Sequence, residues 1–111
     1  MDINVRAERG ITVVELSGEL TWKSAPEAQQ RILEHAQPEG KMILDMSRVP
    51  YMSSAGLRLL LTVYRTVSGK GGRVLLVGLS EELRTTMELT GFLDFFAHQG
   101  SLEAGIAELT S

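Results

Sequence analysis

KMILDMSRVPYMSSAGLRLLLTVYRTV, Lys41 to Val67, sets a short apolar strand, a polar turn and an amphipathic helix in immediate succession. Met42 to Met46 has the length and apolar run of a mostly buried strand, and Pro50 stops it from running on. Leu57, Leu60, Leu61 and Tyr64 then recur at the three-to-four residue spacing of one helix face. Ser53 and Ser54 therefore fall at a helix start. A serine there can cap an orphan backbone N–H, and the unpaired N–H groups and positive dipole end of the same turn suit an anion. The junction Tyr51-Met52-Ser53-Ser54-Ala55-Gly56-Leu57 is the place in the chain where function is expected.

Upstream, Ile3 and Val5 alternate with Asn4 and Arg6, and after Glu8-Arg9-Gly10 the run Ile11 to Leu16 resumes with β-branched residues, which predicts two strands joined by a tight turn. Gly18 to Lys23 breaks that pattern. Ser24-Ala25-Pro26-Glu27 has the form of a capping box, with Ala28, Ile32 and Ala36 as the stripe of the helix it opens and Pro38-Glu39-Gly40 as its end. Downstream, Ser68-Gly69-Lys70-Gly71-Gly72 is a breaker cluster, and Arg73 to Val77 is a run suited to a strand buried on both faces. The glycines do not make a phosphate loop, because no lysine followed by Ser or Thr stands after the second one.

Ser80 is expected to cap a helix from Glu81 that carries Leu83 and Met87 on one face and stops at Gly91. Phe92, Leu93, Phe95 and Phe96 form an apolar block expected to pack in the core against the last strand and helix. Ser101 is expected to cap that final helix, whose stripe is Leu102, Ile106 and Leu109. The order strand, strand, helix, strand, helix, strand, helix, strand, helix predicts an α/β domain whose mixed sheet opens with a hairpin and continues through parallel crossovers.

The chain's 111 residues suit one domain, 1–111, and 43% hydrophobic with 23% charged residues is ordinary globular composition. A net charge of -3 with no basic cluster argues against a nucleic-acid binder. The absence of cysteine excludes disulfides and thiolate metal sites, and two distant histidines, His35 and His98, make poor ligands, so neither metal nor cofactor is expected. The first residues have neither the basic start nor the apolar run of a secretory signal, and no stretch approaches the length of a membrane span. A cytoplasmic protein without direct membrane insertion is expected.

Tyr51-Met52-Ser53-Ser54-Ala55-Gly56-Leu57-Arg58 resembles the signature of the anti-sigma factor antagonists, the small bacterial STAS domains. Leu16-Ser17-Gly18-Glu19-Leu20, Gly71 to Val77 and Thr90-Gly91-Phe92-Leu93 fit the same family in order and spacing. The resemblance implies a sheet of four or five strands with about four helices gathered largely on one side. It also implies a switch: an anti-sigma factor that is a serine protein kinase binds the module and phosphorylates it, the modified module lets go, and a metal-dependent serine phosphatase resets it. Carried over by position, the phosphorylated residue is Ser54, with Gly56 on the motif glycine. Two family aspartates are replaced here, one by Ser53, which makes Ser53 a rival acceptor, and one by Thr21. The partner surface expected comprises Thr21, Trp22, Met52, Ser53, Ser54, Ala55, Gly56 and Arg58, with Trp22 included because it stands in a polar turn between a strand and a helix and tryptophan is enriched among interface hot spots. Trp22 has a second reading, as a core-facing cap over the first helix.

Two other functions compete with this one. The first is a STAS scaffold or ligand-sensing domain that works in a signalling complex without any phosphate. The second is an enzyme with Ser54 as nucleophile, which the sequence disfavours: Met52 stands where the hydrolase elbow needs glycine, and no feature brings a histidine to Ser54.

Overall fold

The computed structural model describes residues 1–111. Two strands open it, β1 Asp2–Glu8 and β2 Ile11–Ser17, paired antiparallel with Glu8 opposite Ile11. Only Arg9 and Gly10 lie between them, at φ 53° and 78°. Positive φ at both turn positions matches the twist of the flanking strands, and glycine takes the second position without strain. The chain continues as α1 Ala25–Leu33, β3 Lys41–Arg48, α2 Ser54–Gly69, β4 Arg73–Val77, α3 Glu81–Leu89, a short 3-10 turn Phe92–Phe95, β5 Ala97–Gln99 and α4 Leu102–Thr110.

All five strands lie in one sheet in chain order, and every pairing after the hairpin is parallel. The three crossovers therefore step in the same direction, and right-handed connections that step alike run over the same face. α1, α2 and α3 share it. There Val14, Leu16, Met42, Leu44, Met46, Val74 and Leu76 join Ala28, Ile32, Leu60, Val63, Leu83 and Met87 in one buried cluster. Because α4 closes no crossover, it is free to cover the other face, where Ile106 and Leu109 meet Val13, Ile43, Leu75 and Val77. Strand alternation sorts successive residues between the two clusters. α4 lies low on the sheet at Gly105, where an added Cβ would come within 2.7 Å of Val77 Cγ1.

The sequence places the caps of the later helices correctly. Ser80 Oγ accepts from the Leu83 N–H at 3.1 Å, Ser101 Oγ accepts from the Ala104 N–H at 3.2 Å, and Gly91 follows the end of α3. The expected box at the first helix lies three residues further back than the sequence suggests. Ser24 is already helical, and its Oγ accepts from the Thr21 N–H at 3.0 Å instead of capping forward. Thr21 does the capping: its carbonyl accepts from the N–H groups of Ser24 and Ala25 at 3.1 and 2.8 Å, and its Oγ1 accepts from the Lys23 N–H at 3.3 Å. The reciprocal pair is thus Thr21 with Ser24, and Glu27 has no part in it.

The aromatic block also differs from expectation. Leu93 and Phe96 are buried, but on the α2 and α3 side of the sheet, away from α4. Phe95 is 48% exposed and, like Phe96, lies against Tyr64 of α2, with ring centroids 5.7 and 5.5 Å away. β5 begins only at Ala97, after the block, so the phenylalanines serve the helical layer that precedes it.

Candidate partner-binding site

The main chains of β2 and β3 stay paired after the strands end. A bulge between Glu15 and Ser17 shifts the register. Beyond it the Gly18 N–H donates to the Arg48 carbonyl at 3.0 Å, the Leu20 N–H to the Tyr51 carbonyl at 2.9 Å, and the Ser53 N–H to the Leu20 carbonyl at 2.9 Å. Leu20 and Met52 form an isolated parallel bridge with both side chains buried. The turn at Thr21-Trp22 and the helix start at Ser53-Ser54 are thereby held side by side at one end of the sheet.

α2 begins at Ser54, with Ser53 in the cap position. The capping hydrogen bond expected of a serine there is not made, and Ser53 Oγ is buried with no hydrogen-bond partner. The helix start is anchored by the main chain of Ser53: its N–H reaches Leu20, and its carbonyl accepts from the Leu57 N–H at 3.1 Å. Ser54, by contrast, is exposed. Arg58 is exposed one turn further along, at the i+4 spacing that puts it on the same face, and it takes part in no salt bridge.

Trp22 is 70% exposed, which excludes the core-facing reading. It stands at a groove of about 570 Å³ between α1 and α2, with Ala25 and Gln29 on one wall and Ala55, Arg58 and Leu59 on the other. Tyr51, 52% exposed, adjoins the same junction. The structure thus brings together Thr21, Trp22, Ser54, Ala55 and Arg58. α1's share of the groove was missed from sequence, since the pairing of α1 with α2 is non-local, whereas Tyr51 opens the junction where function is expected and joins its exposed surface.

Two residues expected in the partner surface lie beneath it. Met52 is 6% exposed and Gly56 is buried, because α2 starts hard against the Leu20–Met52 bridge. An added Cβ at Gly56 would stand 2.4 Å from Met52 Cγ and 2.9 Å from the Leu20 carbonyl oxygen, a backbone atom that cannot swing aside. Gly56→Ala is therefore expected to cost about 1 to 3 kcal/mol through overpacking, against the helix-propensity gain that alanine normally brings. A urea titration checks this, and a variant as stable as the parent would mean that Gly56 is not a packing position.

The profile of the STAS domain family matches residues 2–108. The chain is 30% identical over 99 residues to BtrV of Bordetella bronchiseptica, named as an anti-sigma factor antagonist, with 88% of this chain and 85% of that one covered. It superposes on an anti-sigma factor antagonist from Mycobacterium paratuberculosis with TM-score 0.89 at 24% identity, over 99% and 94% of the two chains. It also shares the fold of the phosphorylated form of the Bacillus cell fate determinant SpoIIAA, with TM-score 0.73 at 21% identity over 97% and 99%. The chain belongs to the STAS domain family, among its anti-sigma factor antagonists, which are regulators and not enzymes. No helix is long and apolar enough to cross a membrane.

Proposed function

We propose that the chain works in the cytoplasm as a phosphate-switched binding module for an anti-sigma factor that is also a serine kinase. The groove beside Trp22 receives that partner, with Thr21, Ala55 and Arg58 around it. Phosphorylation of Ser54 ends the contact, the restrained sigma factor is held again, and a metal-dependent serine phosphatase restores binding. One observation carries this reading: of the two serines at the start of α2, Ser54 is exposed beside the groove while Ser53 Oγ is buried. A kinase active site must enclose the acceptor oxygen, and only Ser54 offers one without unfolding the junction. The Bacillus relative has been described in a phosphorylated form, which fits the switch.

The test is incubation with the cognate anti-sigma factor kinase and ATP, followed by intact mass and site mapping. One phosphate on Ser54 is expected, none on Ser54→Ala, and an undiminished yield on Ser53→Ala. Phosphate confined to Ser53, or none on any residue, would overturn the proposal.

A further inference from the structure

β1 is an edge strand seven residues long, and β5, at the opposite edge, has three. The two-residue turn makes Glu8 and Ile11 the hydrogen-bonded pair that closes the hairpin, so Asp2, Asn4 and Arg6 also direct their main-chain groups toward β2. The N–H and carbonyl groups of Ile3, Val5 and Ala7 consequently point outward. Only a long contact meets them, from Arg31 Nη2 to the Ile3 carbonyl at 3.5 Å. Ile3 and Val5 are partly buried at the margin of the large core cluster, and Asp2, Asn4 and Arg6 lie on the opposite face. An open edge of this kind is a template for another strand.

We propose that this edge pairs antiparallel with the β1 edge of a second copy of the chain, centred on Asn4, to make a continuous ten-stranded sheet in a symmetric dimer. A strand whose odd residues point outward can meet its own copy in two close registers. Centring on Val5 sets Asp2 against the second copy's Glu8, a repulsive pair. Centring on Asn4 sets Asp2 against the second copy's Arg6 twice over, and lets Ile3 and Val5 exchange main-chain hydrogen bonds and continue the apolar layer of each subunit. Asp2 and Arg6 fall at non-hydrogen-bonded positions, where facing side chains lie closest. The charges on β1 thus select one register of self-pairing. Arg31 gives up its long contact to Ile3 when the dimer forms, and Arg6, which within one chain bridges to Glu8 and to Glu15 of β2, shares its guanidinium with the second copy's Asp2. The edge shares no residue with the Trp22 groove, so the dimer carries two open partner sites.

A contact built on one strand pair is small, and its dissociation constant is expected in the micromolar range, on the order of 10 to 100 µM. Sedimentation equilibrium of the full chain up to about 1 mM is the measurement. Val5→Pro, which removes an outward N–H that β2 does not use, should leave the circular dichroism unchanged and the protein monomeric. Asp2→Arg and Arg6→Asp should each weaken self-association at least about tenfold, because each opposes like charges twice. An equimolar mixture of the two restores both Asp–Arg pairs and should dimerise as tightly as the parent, a result that a misfolded variant cannot give. A chain still monomeric at about 1 mM overturns the proposal. So does a dimer that Val5→Pro leaves intact, or single-charge variants that fail to recover on mixing.

Discussion

Phosphorylated on Ser54, the chain is expected to keep its fold and to bind its anti-sigma factor more than about a hundredfold more weakly. The phosphate brings about -1.5 to -2 charges to the first residue of α2, a helix with no acidic residue in its first turn. It meets the unpaired N–H groups and positive dipole end there, and Arg58 on the same face is free of any carboxylate. The free module therefore tolerates it. A partner packed over Ser54 must strip water from that charge or be repelled by it, and a penalty of about 3 kcal/mol corresponds to the loss in affinity given above. Titration with the anti-sigma factor, followed by Trp22 emission where the partner lacks tryptophan, measures the binding, and thermal melting monitors the fold. Ser54→Asp should weaken binding only partly, since one charge replaces nearly two, and Ser54→Ala should bind like the parent. A phosphorylated chain that binds as tightly as the unmodified one, or that unfolds, sinks the mechanism.

Leu60→Ala should remove about 2 to 5 kcal/mol of stability, out of roughly 5 to 15 for a domain of this size. Leu60 is fully buried on the face of α2 that meets the sheet, inside the cluster that the three crossover helices share with β2, β3 and β4. Truncation leaves a cavity there that a packed layer only partly fills. Urea unfolding should show a lower midpoint at unchanged slope, and a midpoint equal to that of the parent would contradict this role for Leu60.

Much of this arrangement is legible in the sequence because it is local. Alternation at Ile3 and Val5, the serines at positions 80 and 101 and the pair Leu57 and Leu60 each declare an element by residues a turn or less apart, although the buried face of α2 continues through Val63 and Val67 while Leu61 and Tyr64 stay partly exposed. Parallel strands in chain order, with right-handed crossovers, then leave α1, α2 and α3 no choice of face. The departures arise where distant residues meet. Ser24 caps nothing ahead of it because Thr21, fixed by the neighbouring Leu20–Met52 bridge, already begins the helical turn. Gly56 stands on a family motif glycine that the sequence counts in the partner surface, but its lack of a side chain answers to the Leu20 carbonyl beneath it. Ser53 and Ser54 are the same residue type in adjacent places, and only the packed junction separates the buried hydroxyl from the exposed one.

The two loops that carry this site are tied by peptide groups, in the bonds that join Gly18 to Arg48, Leu20 to Tyr51 and Ser53 to Leu20. Peptide groups are common to every residue, so the tie does not depend on which side chains project outward from it. Trp22, Tyr51 and Arg58 can therefore be exchanged without moving the frame that presents them. A lineage that duplicates such a gene can alter what one copy recognises while both copies still fold, which gives a cell with several anti-sigma factors a way to keep its circuits insulated from one another.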